Sequence, residues 1–222
     1  MSLVLALCSE KVAVGIADRR VVGIHPSGDR SKYIVGENEE RKLHKLSDRV
    51  AVVAIGSPAF ITAVPSVVPD DLRAAIPTGP TDSLAGFVGT VGQLYAATEE
   101  HIPEHVERIE SSVTLFGVTS SGRAGIVRMT SKDDFGAFIG GPFSGAAALP
   151  IGDAGGNAVA EAFRALSAAL PEMGEQERVT AIRKMLEGIA SNISGVTNFV
   201  GDVFDVATIS ADGFDLEVHS AD

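Results

Sequence analysis

The sequence predicts an α+β domain in which antiparallel sheets are covered by helix pairs. Three observations carry this. Short apolar runs of strand length open and close the chain. Two stretches, near 81 to 100 and 157 to 191, place apolar residues at three and four spacing. The order reads strands, two helices, strands, two helices, strands, whereas a doubly wound parallel sheet alternates single strands with single helices.

Ser2 to Cys8 and Lys11 to Ala17 are apolar runs separated by the polar Ser9-Glu10, a hairpin of two largely buried strands. A strand that starts at residue 2 fixes the N-terminal segment within the fold. After Asp18-Arg19-Arg20, the turn-rich His25-Pro26-Ser27-Gly28-Asp29 and the acidic Glu37 to Glu40 predict an extended surface hairpin. Lys42 to Leu46 and Arg49 to Ile55 pair around Ser47-Asp48, and Gly56-Ser57-Pro58 opens a helix with proline in its favoured first turn. Thr81-Asp82-Ser83 caps a helix running to about Glu100, with Leu84, Phe87, Val88, Val91 and Leu94 on one face. Val113 to Thr119 and Ala124 to Met129 pair around Ser120-Ser121-Gly122, and Phe135 to Ile139 forms a further strand. Asn157 to Leu170 and Glu175 to Ser191 are amphipathic helices. Phe204 to Ser210 and Phe214 to His219 close the chain as a hairpin. With no repeat, low-complexity tract or linker, residues 1–222 read as a single domain.

Composition narrows the function classes. A hydrophobic content of 45% suits a globular core, and 5% aromatics with no Trp leave that core to small aliphatic side chains. The formal charge of −11 argues against nucleic acid as a partner, since phosphate contacts need clustered Lys and Arg, and against a membrane surface likewise. Cys8, the one cysteine, sits in an apolar run and reads as a buried small hydrophobe. No signal peptide and no run of membrane-spanning length is visible, which predicts a cytoplasmic protein.

Ser2 is eligible for a particular chemistry. Once Met1 is removed, its hydroxyl stands beside its own α-amine, whose pKa of about 8 suits proton transfer at neutral pH. Such a nucleophile also needs a lysine to lower the hydroxyl pKa and a carboxylate to position that lysine. The chain offers Ser2 opening a hairpin, Asp18-Arg19-Arg20 at its end, Lys42-Leu43, and Ala54-Ile55-Gly56. Sixteen residues separate Ser2 from Asp18 and fourteen separate Lys42 from Gly56. In these motifs, and in Phe204 to Ile209 followed by Asp212-Gly213, the chain resembles the proteasome β-type subunits, a family of N-terminal-nucleophile (Ntn) hydrolases, over nearly its whole length. The stretch between Asp18 and Lys42 is longer than the family's.

The resemblance implies a four-layer αββα Ntn-hydrolase sandwich, with two antiparallel sheets between helix pairs, and a peptidase working inside a ring of like subunits. By the same resemblance Ser2 attacks the scissile carbonyl, Lys42 assists loss of its proton, Asp18 holds Lys42 charged and oriented, and the Gly56 N–H stabilises the oxyanion. Ala54 falls where the family lines its substrate pocket. No cofactor is implied. The implied partners are a peptide or unfolded protein as substrate, further copies of the chain in a homo-oligomeric ring, and an ATPase or other activator. Two departures stand out. Serine replaces the usual threonine, and the family's Asp and Ser near the amine align with Thr197 and Val200. A further family serine aligns with Gly141, or with Ser144 after a shift. Two rival readings follow: a catalytically inactive structural or regulatory subunit of the same fold, and an Ntn amidohydrolase acting on a small amide.

Other signals carry less. His101-Ile102-Pro103-Glu104-His105 matches a zinc-binding pattern, but Pro103 disrupts the helical face it requires. Gly140-Gly141 and Gly152 to Gly156 lack phosphate-loop spacing and read as turns. His25, His44 and His219 are scattered singletons that read as surface residues.

Overall fold

A computed structural model describes residues 2–24, 33–100, 110–149, 153–197 and 199–220. The first hairpin joins β1 (Val4–Cys8) to β2 (Ala13–Asp18), and every residue of both strands is buried. Burial on both faces is the reason these strands are continuous apolar runs. Ser9 shapes the turn: the Val12 N–H donates to its Oγ at 3.1 Å, and its own N–H donates to the Val12 carbonyl at 2.8 Å. β3 (Arg20–Ile24) and β4 (Tyr33–Glu39) then form a two-stranded ribbon. The predicted turn at His25 to Asp29 lies outside the described residues, as do His101 and His105.

β5 (Leu43–Lys45) and β6 (Val50–Ile55) lead into α1 (Pro58–Val67). The Ser57 hydroxyl caps α1 by accepting from the Phe60 N–H, and Pro58 occupies its first turn. A short α2 (Asp70–Ala74) precedes α3 (Asp82–Glu99), whose Leu84 N–H donates to the Thr81 hydroxyl at 3.1 Å. β7 (Ser112–Val118), β8 (Ala124–Thr130) and β9 (Phe138–Gly140) follow, then β10 (Gly145–Ala148), α4 (Asp153–Ala169), α5 (Glu175–Val196), β11 (Val203–Ser210) and β12 (Gly213–Ser220).

These strands form two antiparallel five-stranded sheets, β10-β1-β2-β11-β12 and β5-β6-β7-β8-β9. Three cores define four layers. One packs α1, α2 and α3 on the second sheet through Phe60, Val64, Leu72 and Phe87. Another packs α4 and α5 on the first sheet through Phe163, Ile182, Leu186 and Ile193. The third lies between the sheets and is built largely from small residues, among them Ala6, Ala13, Ala17, Ala51, Ala146 and Ala207. Larger side chains join them, among them Leu43, Ile55, Ile126, Ile209 and Phe116, and Gly15 makes room for the last: a Cβ there would run into the Phe116 ring. The fold is therefore the α+β sandwich, with two antiparallel sheets between helical layers.

The structure differs from expectation in five places. The strand predicted from Phe135 begins at Phe138, because the chain turns through Asp134 and Phe135 with φ of 49° and 58°, a left-handed conformation no strand contains. Neither α2 nor β10 is anticipated. Gly155 and Gly156 lie within α4, which opens at Asp153, and do not form a turn before it. His44 is half-buried on β5, its Nε2 enclosed without a hydrogen-bond partner among the described residues. Cys8 has no exposed surface, and burial pushes its thiol pKa upward. No helix among the described residues is long and apolar enough to cross a membrane.

At the outer edge of the first sheet, Arg183 of α5 grips Glu217 of β12 with two bonds of 3.1 and 2.7 Å, holding the carboxylate down at about 2, against an ordinary 4.5. A carboxylate with a lowered folded pKa contributes stability above its unfolded value and loses it as pH falls. The pair's contribution is therefore complete above 4.5 and disappears toward 2, and its size is small because the pair is exposed. Carboxyl ¹³C titration should show the Glu217 midpoint returning toward 4.5 in Arg183→Met, with little change in stability at neutral pH.

Candidate active site

Strand register decides which residues meet. The Asp18 N–H donates to the Leu3 carbonyl at 3.2 Å, and the Leu3 N–H donates back to Asp18 Oδ1 at 2.7 Å. Ser2 thus lies one residue beyond the contact that ends the first hairpin. Leu3, Leu5 and Leu7 face α4 and α5, whereas Val4, Ala6 and Cys8 face the second sheet. Continuing that alternation by one residue puts the partly exposed Ser2 on the side of the second sheet.

In the second sheet, the Lys42 carbonyl accepts from the Ala54 N–H at 3.3 Å, and Leu43 pairs with Val53. Gly56 therefore follows two residues after the position opposite Lys42. The two sheets are tied together at this end by a buried ion pair. The Lys42 ammonium reaches across to Asp18 Oδ1 at 3.0 Å and to the Arg20 carbonyl at 2.7 Å. Asp18 is completely buried and Lys42 is 2% exposed, so neither is a surface charge. Asp18 is also held through its other oxygen by the Arg20 N–H at 3.2 Å. Burial pushes the Lys42 pKa below the ordinary lysine value, and the Asp18 charge opposes that fall.

Gly56 has φ of 151°, outside the comfortable range of residues with a Cβ. A Cβ there would lie 2.5 Å from Ser111 Oγ and 2.9 Å from Phe60 Cδ1. Ser111 precedes β7 and is fully buried, and its hydroxyl has no hydrogen-bond partner among the described residues. Sequence reasoning passed over Ser111, because nothing in its neighbourhood marks it apart from a strand start.

The other predicted positions fare differently. Ala54 offers no surface to a substrate: it is fully buried in β6 and faces α1 and α3, in the same core as Phe60 and Val113. Thr197 spends its hydroxyl on the Phe199 N–H at 3.2 Å, and Val200 is buried against the first sheet. Their segment nonetheless lies close, since Arg20 donates to the Val200 carbonyl at 3.2 Å and packs against Gly201. Gly141 and Ser144 lie at the wrong end of β1. The Ser144 carbonyl accepts from the Cys8 N–H at 3.0 Å, whereas β10 ends opposite Val4, so α4 begins at the same end of β1 as Ser2.

A second buried charge was not singled out from the sequence. Asp205 in β11 is fully buried, with Arg19 Nη2 2.5 Å from Oδ1 and Arg41 Nε 3.6 Å from Oδ2. An aspartate inside the apolar run Val203 to Ile209 was the available signal, because a lone carboxylate in a buried strand requires a cationic partner. No known family model matches this chain, and no curated protein matches it.

Removing one member of a buried ion pair leaves the other uncompensated, at a cost of about 3–5 kcal/mol. Lys42→Met and Asp18→Asn should each lower unfolding free energy by that order, and the double variant should lose less than the sum. Urea denaturation of the four proteins measures this coupling. Gly56→Ala should destabilise through both its φ and its collision with Ser111, and Gly56→Ala with Ser111→Gly should recover part of the loss in the same titrations.

Proposed function

We propose that the chain is a peptidase that uses an N-terminal serine nucleophile, of the proteasome β type. The observation that carries this reading is the buried Lys42 ammonium, bonded to Asp18 beside the first residues of β1. Burying a lysine beside the first residues of β1 costs free energy, and perturbed ionisable groups concentrate where chemistry needs them.

In the proposed cycle, removal of Met1 frees the Ser2 α-amine. The Lys42 charge disfavours a second cation nearby and so keeps that amine neutral, ready to accept the hydroxyl proton. Ser2 Oγ then attacks the peptide carbonyl, and the developing oxyanion is met by the Gly56 N–H, with Lys42 supplying favourable charge. Collapse breaks the C–N bond, the α-ammonium returns its proton to the leaving amine, and an ester joins Ser2 to the acyl fragment. Water, deprotonated by the same amine, hydrolyses the ester. Nothing in the cycle calls for a cofactor.

The wider reading includes cytoplasmic location, a homo-oligomeric ring enclosing the sites, peptides or unfolded proteins as substrates, and an ATPase or other activator. A second reading, an inactive structural or regulatory subunit, is favoured by one observation: where the family has Asp and Ser, the Thr197 hydroxyl accepts from the Phe199 N–H and the Val200 side chain is buried in the core.

Intact mass and labelling with a peptide epoxyketone, which bridges an N-terminal hydroxyl and amine, separate the two. The peptidase reading expects loss of Met1, one adduct per chain on Ser2, and abolition of both labelling and peptide cleavage in Ser2→Ala. Retained Met1, or a processed chain that does not label, overturns it.

A further inference from the structure

We infer that Asp205 is a positioning residue for the Asp18–Lys42 pair, acting through Arg19 and Arg41. The inference rests on the peptidase reading for its catalytic meaning, although the electrostatic arrangement it describes is independent of that reading.

Asp205 lies on β11 directly opposite Ala17 of β2, one residue from Phe204, which is opposite Asp18. Its carboxylate is fully enclosed at the margin of the core between the sheets, alongside Ala17 and Ala207. The cations it meets are the chain neighbours of the candidate pair. Arg19 follows Asp18, and Arg41 precedes Lys42. One carboxylate on a third strand therefore holds the residue adjoining each partner.

The backbone repeats the pattern. The Arg19 N–H donates to the Val203 carbonyl at 3.2 Å, and the Arg19 carbonyl accepts from the Glu40 N–H at 2.8 Å, two residues before Lys42. Arg19 thus anchors the approach to Lys42 on one side and β11 on the other.

Charge gives the arrangement its purpose. Two arginines adjoin the buried pair in the chain, Arg19 next to Asp18 and Arg41 next to Lys42, and Asp18 must stay committed to Lys42. Arginine binds carboxylates in a two-pronged fork that an ammonium does not match. Without Asp205, Arg19 would be free to turn toward Asp18 and displace Lys42 from it. Asp205 occupies Arg19 at 2.5 Å and leaves Asp18 to the lysine. The surrounding charges are few: Glu39 reaches Arg19 at 3.8 Å, Glu40 acts on Lys42, and the half-buried His44 lies within the fields of Arg41 and Asp205.

The Asp205 Oδ2 accepts no hydrogen bond in the described structure and has only Arg41 at 3.6 Å. A carboxylate serving only as a cross-link between strands is expected to have both oxygens bonded. This one is arranged around neighbouring charges, with one oxygen left to the longer contact.

The test combines Asp205→Asn with Asp205→Asn/Arg19→Gln and Arg41→Gln. The readouts are the ¹³Cε titration of Lys42, epoxyketone labelling rate, and the kcat and KM for a fluorogenic peptide amide. In Asp205→Asn the Lys42 midpoint should fall, and kcat should drop by up to about 100-fold with KM nearly unchanged, the loss expected when a reacting group is displaced by about 1 Å. Removing the competing cation in Asp205→Asn/Arg19→Gln should restore the Lys42 midpoint and much of kcat, a rescue that a merely structural role would not show. Arg41 is half-exposed, so Arg41→Gln should fold normally and raise the Lys42 midpoint even if Asp205→Asn does not fold. An unchanged midpoint in Arg41→Gln together with a double variant no better than Asp205→Asn overturns the inference. If the wild type neither labels nor cleaves, the peptidase reading fails alone, because the Lys42 titrations still decide the positioning.

Discussion

The ion pair between Lys42 and Asp18 constrains everything around it. Two opposite charges removed from water are tolerated only if their bonding capacity is nearly filled. Asp18 receives the Lys42 ammonium and the N–H groups of Leu3 and Arg20, while Lys42 also donates to the Arg20 carbonyl. Satisfying these demands determines where β1 starts, where β2 ends and how the approach to β5 runs. The candidate nucleophile and the candidate oxyanion donor take their places from those three positions, at the same end of both sheets.

This contact is made possible by the middle layer of the sandwich. A core of large side chains between the sheets would hold them too far apart for one lysine to reach from Leu43's neighbour to the end of β2. Alanine supplies much of that layer, with Phe116 accommodated only because Gly15 has no side chain. Most of the aromatic residues lie in the outer cores, where helices pack on sheets.

Features set by local sequence were legible before the structure, and features set by contacts between sheets were not. The spacing from Ser2 to Asp18 is a hairpin length, and that from Lys42 to Gly56 is another, so each pair could be placed from turn chemistry at Ser9 and Ser47. That the two hairpins meet through Lys42 and Asp18 is a tertiary fact, which only the resemblance suggested. β10 escaped notice because Gly145-Ala146-Ala147-Ala148 has little strand propensity and pairs on the strength of β1 beside it. Strand alternation, worked through from Val53 and Ile55, sends Ala54 to the helical face. Asp205 was readable in principle, as a carboxylate in an apolar strand, but its partners at residues 19 and 41 were not.

The composition of the first sheet bears on how the chain is made. The second sheet is assembled from residues 43 to 140, whereas the first takes strands from both ends: Val4 pairs with Ala148 and Asp18 with Phe204. On a ribosome adding about 5–20 residues per second, the β1–β2 hairpin emerges roughly 6–26 seconds before the first of its flanking strands exists. During that interval two strands apolar except for Asp18 have open edges on both sides and no helical cover. The second sheet and its helices can condense meanwhile and offer one face of the hairpin a place to rest. The sandwich is completed only when β11 and β12 arrive, so a synthesis halted before β11 yields a protein with its inner layer formed, its candidate site open, and its most adhesive edge exposed.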